Sequence, residues 1–121
     1  GAKFWTTSVD DYWWAGDRFL PGAHSIAKMV AGASDTEDVE VLGKPSEHAR
    51  RIVKEEWNLM PGNTILIGDN IESDMVLGNR LGFQTGLVLG GTSTEEDLND
   101  AGPREKPKIV FREFERILMK I

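Results

Sequence analysis

Apolar positions along the chain fall into short runs, each followed by a polar or glycine-containing turn and then by helical spacing. The runs occupy residues 3–7 (KFWTT), 39–42 (VEVL), 64–68 (TILIG), 85–89 (TGLVL) and 108–111 (KIVF). The later ones are mostly β-branched residues and leucine without alternation, the pattern of strands covered on both faces. Between them, residues 46–60 place Ala49, Ile52, Val53, Trp57 and Met60 at steps of three and four. That spacing predicts an amphipathic helix with Trp57 in the core, and Ser46 after Pro45 is its expected N-cap. A shorter helix is expected over 73–81, ended by Gly82, and an earlier one over 23–31 behind Pro21 and Gly22. Ser93 and Glu96 have capping-box spacing, and Phe114, Ile117, Leu118 and Ile121 give a last helix one apolar face.

Strands alternating with helices at these lengths predict βαβ units: an α/β fold with a parallel sheet flanked by helices. The small, acidic stretch 32–38 (GASDTED) reads either as a domain linker or as a polar loop between helix and strand. The sequence contains no internal repeat and no low-complexity tract.

Composition narrows the function. The 121 residues hold 14 Lys plus Arg against 20 Asp plus Glu, a net charge of −6, with 40% apolar and 28% charged residues. An acidic chain of this kind argues against broad nucleic-acid binding, which needs a basic face, but leaves room for a compact local cation site. No stretch approaches the ~18 uninterrupted apolar residues of a membrane span. The first residues lack the layout of a signal peptide, so neither a membrane partner nor a nucleic acid is expected, and a cytoplasmic location is. The absence of cysteine excludes a disulfide scaffold, a thiolate zinc site and a cysteine nucleophile.

Two segments could carry chemistry. In GDNIESD, an apolar run ends at Gly68, Asp69 and Asn70 occupy the turn, and Ser73 and Asp74 open the next helix. Ligands of open α/β sheets bind beyond the carboxyl ends of the strands, where Asp69 would stand. A carboxylate there suits Mg²⁺, which takes one or two protein carboxylates and fills its other positions with water or phosphate oxygens. Gly68 would let the backbone approach a ligand. Taken alone, the segment reads equally as turn formers followed by helix-capping residues.

In GKPS, Lys44 follows another strand-like run, and Pro45 holds it extended ahead of a helix. A lysine so placed can neutralise a phosphoryl group, or simply stand exposed before a proline-started helix. Both segments are expected at carboxyl ends of parallel strands, on one edge of the sheet, as a cation and one or two carboxylates around a phosphate and a metal. The Gly-rich GGTST at 90–94 reads as a plain turn and cap, and His24 and His48 form no recognisable pair. Trp13 and Trp14 read as packed residues or as a surface that meets residues not in this chain, with an exposed aromatic contact to substrate as the alternative.

GKPS followed by IGDNIESDMVLGNRLGFQTGLVLGGTSTEEDL resembles the second half of a haloacid dehalogenase superfamily phosphatase. The branch is the 4-nitrophenylphosphatase and phosphoglycolate phosphatase-like group with an α/β cap, and FWTTSVD and FLPGAHSI resemble its upstream segments. The resemblance implies a Rossmann-like core, with residues 1–37 a remnant of the cap and 38–121 the carboxyl-terminal part of the core. It implies Mg²⁺-dependent hydrolysis of a small phosphorylated metabolite through an aspartyl-phosphate. Lys44 and Asp74 would be catalytic, Lys44 and Asn70 would contact substrate, and Asp69 would bind the metal.

The sequence departs from that family in two places. SVDDYWW replaces the usual Asn-Pro-Asp pattern, so substrate specificity does not carry over. No D-x-D-G motif, whose first Asp attacks phosphorus and whose second is the general acid, occurs anywhere. The chain therefore reads as the carboxyl-terminal piece of a phosphatase, incomplete as a catalyst alone. The alternative is a non-catalytic, degenerate module that binds an anion or a partner. Without the family's first core strand, the strand ending at Gly68 should present an unpaired edge through which the chain self-associates.

Overall fold

The computed structural model describes residues 2–36 and 39–112. Strands and helices alternate as an α/β chain, in two compact units, Gly1–Ala49 and Arg50–Ile121.

In the first unit, β1 (Phe4–Thr6) pairs in parallel with β4 (Val39–Val41), Phe4 facing Val39 and Thr6 facing Val41. The helix α1 (Ala23–Ala33) connects them and buries Ala27 and Ala31. This pairing joins strands on either side of residues 32–38. Between β1 and α1 lies an antiparallel hairpin of β2 (Tyr12–Trp14) and β3 (Phe19–Pro21), which the hydrophobic pattern did not announce. Its signal is hidden because Tyr12, Trp13, Trp14 and Phe19 are all exposed, with no apolar-polar alternation. Phe19 makes ring contacts to Tyr12 and Trp14, each with centroids 5.0 Å apart. Trp13 and Trp14 are therefore not buried in a core, which leaves the surface alternatives for them. Asp11 ties the hairpin to α1: Lys28 Nζ lies 3.0 Å from its Oδ1, and Ser25 Oγ donates to its carbonyl at 2.7 Å.

α2 (Glu47–Arg51) is capped as expected, with Ser46 Oγ accepting from the Ala49 N–H at 3.1 Å. The helix does not run regularly to residue 60. It widens into a π-helical turn, Ile52–Glu56, which closes with the Trp57 N–H on the Ile52 carbonyl. The extra residue in that turn breaks the three-and-four stripe, and Trp57 stands 62% exposed rather than in the core.

The second unit is built on a three-stranded parallel sheet in the order β5 (Ile65–Gly68), β6 (Gln84–Val88), β7 (Ile109–Phe111). A π-helical turn, Ile71–Met75, leads into α3 (Val76–Leu81), which ends at Gly82 in the left-handed region with φ 74°. Ile71, Met75, Leu87 and Ala101 form the buried cluster, with Leu66, Leu89 and Leu98 packed against it. Met75 and Leu87 are wholly buried, and side chains of that size each stabilise a fold by about 1.5–3 kcal/mol. Gly78 and Gly86 leave room for the Thr85 side chain and the Phe111 ring.

The last described helix, α4 (Glu95–Asp100), starts one residue later than the sequence pattern implied. Its capping box joins Thr94 and Asp97, with Thr94 Oγ1 accepting from Asp97 N at 3.2 Å and Asp97 Oδ2 accepting from Thr94 N at 2.7 Å. Ser93 is diverted to another task, described below. The final helix expected around Phe114 and Ile117 lies outside the described residues. Among the described residues no helix is long and apolar enough to cross a membrane.

Candidate functional site

Asp69 directly follows β5, at the carboxyl edge of the parallel sheet, where the sequence placed it. Its carboxylate is held from one side. Thr92 donates twice to Oδ2, from its backbone N–H at 2.9 Å and its hydroxyl at 3.0 Å. The Ser93 N–H donates to the Asp69 carbonyl at 2.9 Å, pinning the same two segments through the main chain. A Cβ on Gly91 would run into the Asp69 carboxylate, so glycine is required for this approach. Both of these hydrogen bonds from Thr92 to the carboxylate fall on Oδ2.

Asn70, Ser73 and Asp74 build the turn. The side-chain oxygen of Asn70 accepts from Ser73 N at 3.1 Å, so Asn70 rather than Ser73 caps the helical segment. Its carbonyl accepts from Asp74 N at 2.9 Å and from Met75 N at 3.3 Å, the second being the wide bond of the π turn. Asp74 is only 4% exposed, and its Oδ2 accepts from the Asn70 N–H at 3.3 Å. Its carboxyl group lies over Gly68, where a Cβ would collide with it. Gly68 was expected to admit a ligand. What it admits is Asp74, a buried acid that locks the loop carrying Asp69.

Ser93, 6% exposed, completes the loop by accepting from the Ile71 N–H at 2.9 Å through its hydroxyl. The sequence reading passed over Gly91, Thr92 and Ser93 as a plain turn. The only available signal was their place after another strand of the same parallel set, β6, which brings its following loop to the same edge. Next to this loop, the Thr94 backbone and hydroxyl bonds to Asp97 hold that carboxyl below its ordinary value of 3.8.

Lys44 belongs to the other compact unit. It is exposed just beyond the carboxyl end of β4, in a turn closed by the Ser46 N–H on the Gly43 carbonyl at 2.9 Å, and the Lys44–Pro45 peptide bond is cis. Gly43 is required there because a Cβ would strike the Thr7 carbonyl. Ser46 Oγ donates to the Leu42 carbonyl at 2.8 Å, so the lysine's turn is fastened at both ends. Asp69, Asn70 and Asp74 are thus gathered in one loop system with Thr92 and Ser93, and Lys44 occupies the equivalent position on its own strand.

Among the described residues no three His, Cys, Asp or Glu side chains cluster as a metal cage. Mg²⁺ does not need one, because a single carboxylate oxygen plus water and phosphate oxygens suits its preferences. Asp69, a strand-end carboxylate held through Oδ2 by Thr92, fits that requirement.

Residues 41–117 match the family model described as HAD-hydrolase-like, over more than half of the chain. Glycerol-3-phosphate phosphatase of Gallus gallus is 35% identical over 83 residues, 69% of this chain and 26% of that protein. Chronophin of Bos taurus is 38% identical over 77 residues, 64% of this chain and 26% of that protein. The p-nitrophenyl phosphatase from Archaeoglobus fulgidus superposes with a TM-score of 0.74 at 29% identity, covering 98% of this chain and 46% of that one. The chain spans about a quarter of the length of the curated relatives it matches.

Proposed function

The chain belongs to the HAD-like hydrolases, in their phosphatase branch, and from that premise we propose that it supplies the metal- and phosphate-binding part of a Mg²⁺-dependent phosphate-monoester hydrolase. The substrate class is a small phosphorylated metabolite, and the reaction of the whole enzyme runs through an aspartyl-phosphate. The observation that carries the reading is the Asp69 carboxylate, fixed through Oδ2 by both donors of Thr92 and aimed from the end of a parallel strand.

The roles follow from charge. A phosphoryl group is dianionic and repels an attacking carboxylate, so the site must supply positive charge where negative charge builds up. Bound Mg²⁺ would supply Lewis-acid polarisation of the phosphoryl oxygens. Asp69 would hold it through Oδ1. Lys44 would place its ammonium on the phosphoryl oxygens as the transition state forms, and Asn70 would contact the substrate. Asp74 would act by keeping the turn 70–74 closed, so that Asp69 keeps its direction. The chain contains no D-x-D-G motif, so the attacking carboxylate and the general acid are what it lacks, and alone it is catalytically incomplete. Residues 1–37 belong on this reading to the cap side and 38–121 to the core.

The test is hydrolysis of 4-nitrophenyl phosphate with Mg²⁺ by the pure 121-residue chain, together with calorimetric titration of Mg²⁺. The expected result is no turnover, and weak Mg²⁺ binding that disappears in Asp69→Asn. Turnover that is lost in Asp69→Ala would overturn the claim of incompleteness. Mg²⁺ binding indifferent to Asp69 would overturn the metal assignment and favour a non-catalytic anion-binding module.

A further inference from the structure

Four of the chain's 14 basic side chains gather at the end of the β5–β6–β7 sheet opposite to Asp69. They line a cavity of about 600 Å³ within the second unit: Arg80 from the last turn of α3, Arg104 and Lys106 from the loop before β7, and Lys108 immediately ahead of β7. Gln84, the first residue of β6, also lines it, so the cavity sits at the amino-terminal edge of the strands. Among the described residues no Asp or Glu lines it, although the chain as a whole carries a charge of −6.

The loop that presents these cations is built rather than loose. Asn79 Nδ2 donates to the carbonyls of Arg104 at 2.9 Å and Lys106 at 3.0 Å, while its Oδ1 accepts from the buried Thr85 hydroxyl at 3.1 Å. Thr85 also accepts the Lys108 N–H, on its carbonyl at 3.0 Å and its hydroxyl at 3.1 Å. Glu105, the one acid in the loop between Arg104 and Lys108, accepts the Gly102 N–H on its carboxylate at 2.7 Å. The loop is anchored through backbone groups, the Arg104 and Lys106 carbonyls and the Lys108 N–H, so the side chains of Arg104 and Lys106 are not used in holding it.

Like charges held around one hollow repel one another, and the arrangement is stabilised by an anion that bridges them. The hollow lies within the range of roughly 300–1,000 Å³ typical of small-molecule sites. The Arg104 guanidinium offers paired donors that match phosphate oxygens, and the lysines add point charges. A long nucleic acid would need an extended basic face, which an acidic chain does not offer.

We propose that this cavity is a binding site for a small polyanion carrying two or more phosphoryl groups, separate from the site at Asp69. The probe is tripolyphosphate, titrated calorimetrically into the 121-residue chain at low ionic strength without Mg²⁺, beside inorganic phosphate and a single-stranded RNA oligonucleotide. Saturable one-to-one binding of tripolyphosphate is expected, tighter than that of inorganic phosphate, and weakened by added salt. Arg104→Glu with Lys106→Glu should weaken it by at least about tenfold. Lys44→Ala, and Lys3→Glu with Arg18→Glu as a control for net charge, should leave it unchanged. Equal weakening in the control variants, dependence on Lys44, no saturable binding, or tighter binding of the RNA would each overturn the proposal.

Discussion

Thr92 grips one carboxylate oxygen of Asp69 with two donors, its main-chain N–H at 2.9 Å and its hydroxyl at 3.0 Å, across an interval of 23 residues. A free aspartate at a strand end rotates; this one is held through one oxygen by two donors. The contact links the loops after β5 and β6 and fixes the Asp69 side chain between them.

Thr92→Val removes the hydroxyl and keeps the backbone donor. A hydrogen bond to a charged acceptor contributes about 1.5–3 kcal/mol when sheltered, and less at an exposed threonine such as this. We expect a loss of roughly 1 kcal/mol in urea unfolding, with Mg²⁺ affinity lowered severalfold relative to wild type. Unchanged Mg²⁺ affinity in a folded Thr92→Val chain would show that Asp69 is not oriented this way.

Gly68 and Asp74 form a second coupled pair. A methyl group at position 68 would lie 2.6 Å from Asp74 Cβ and closer still to its carboxyl group, in a place where the acid is 4% exposed. Gly68→Ala should therefore destabilise by about 1–3 kcal/mol, the usual cost of overpacking. Asp74→Ala opens that space, so the double variant should be more stable than the sum of the two single effects implies. Strict additivity in denaturant titrations would contradict the close approach.

The α/β alternation and the strand-end position of Asp69 were legible because continuous runs such as TILIG and TGLVL have one stable use, burial in a parallel sheet. The position of Lys44 was legible for the same reason, one residue pair beyond VEV. The helix after GKPS was misjudged at its far end: periodicity cannot show where a turn widens, and the π turn at Ile52–Glu56 leaves Trp57 in solvent. The hairpin of Tyr12–Trp14 with Phe19–Pro21 was invisible because both strands expose their aromatics. The role of Thr92 was hidden for a different reason. A glycine-rich turn looks the same in sequence whether or not a carboxylate from another strand reaches it, and only the parallel pairing of β5 with β6 brings the two together.

The capping box of α4 predicts a pH dependence. Backbone and hydroxyl bonds from Thr94 lower the Asp97 pKa in the folded state below the ordinary 3.8. A lowered folded-state value means that the carboxylate adds stability above the unfolded pKa, and that this contribution is lost as pH falls through the folded one. The stability difference between wild type and Asp97→Asn should then be present at about pH 6 and shrink below about pH 4. A difference that persists undiminished in acid would assign the effect to packing instead of charge.

Among the described residues β5 pairs with β6 alone in its three-stranded sheet, so its other side is an edge. An edge strand with free donors and acceptors pairs with another unless charge, proline or a bulge blocks it. β5 carries none of these: its sequence is ILIG, and Ile65 is 38% exposed. We expect the 121-residue chain to self-associate as its concentration rises, and Ile65→Lys to shift sedimentation toward monomer while leaving the thermal transition intact. The lysine works by like-charge repulsion between two copies brought side by side, so added salt should partly restore association. A well-folded chain that stays monomeric at high concentration would show that this edge is protected.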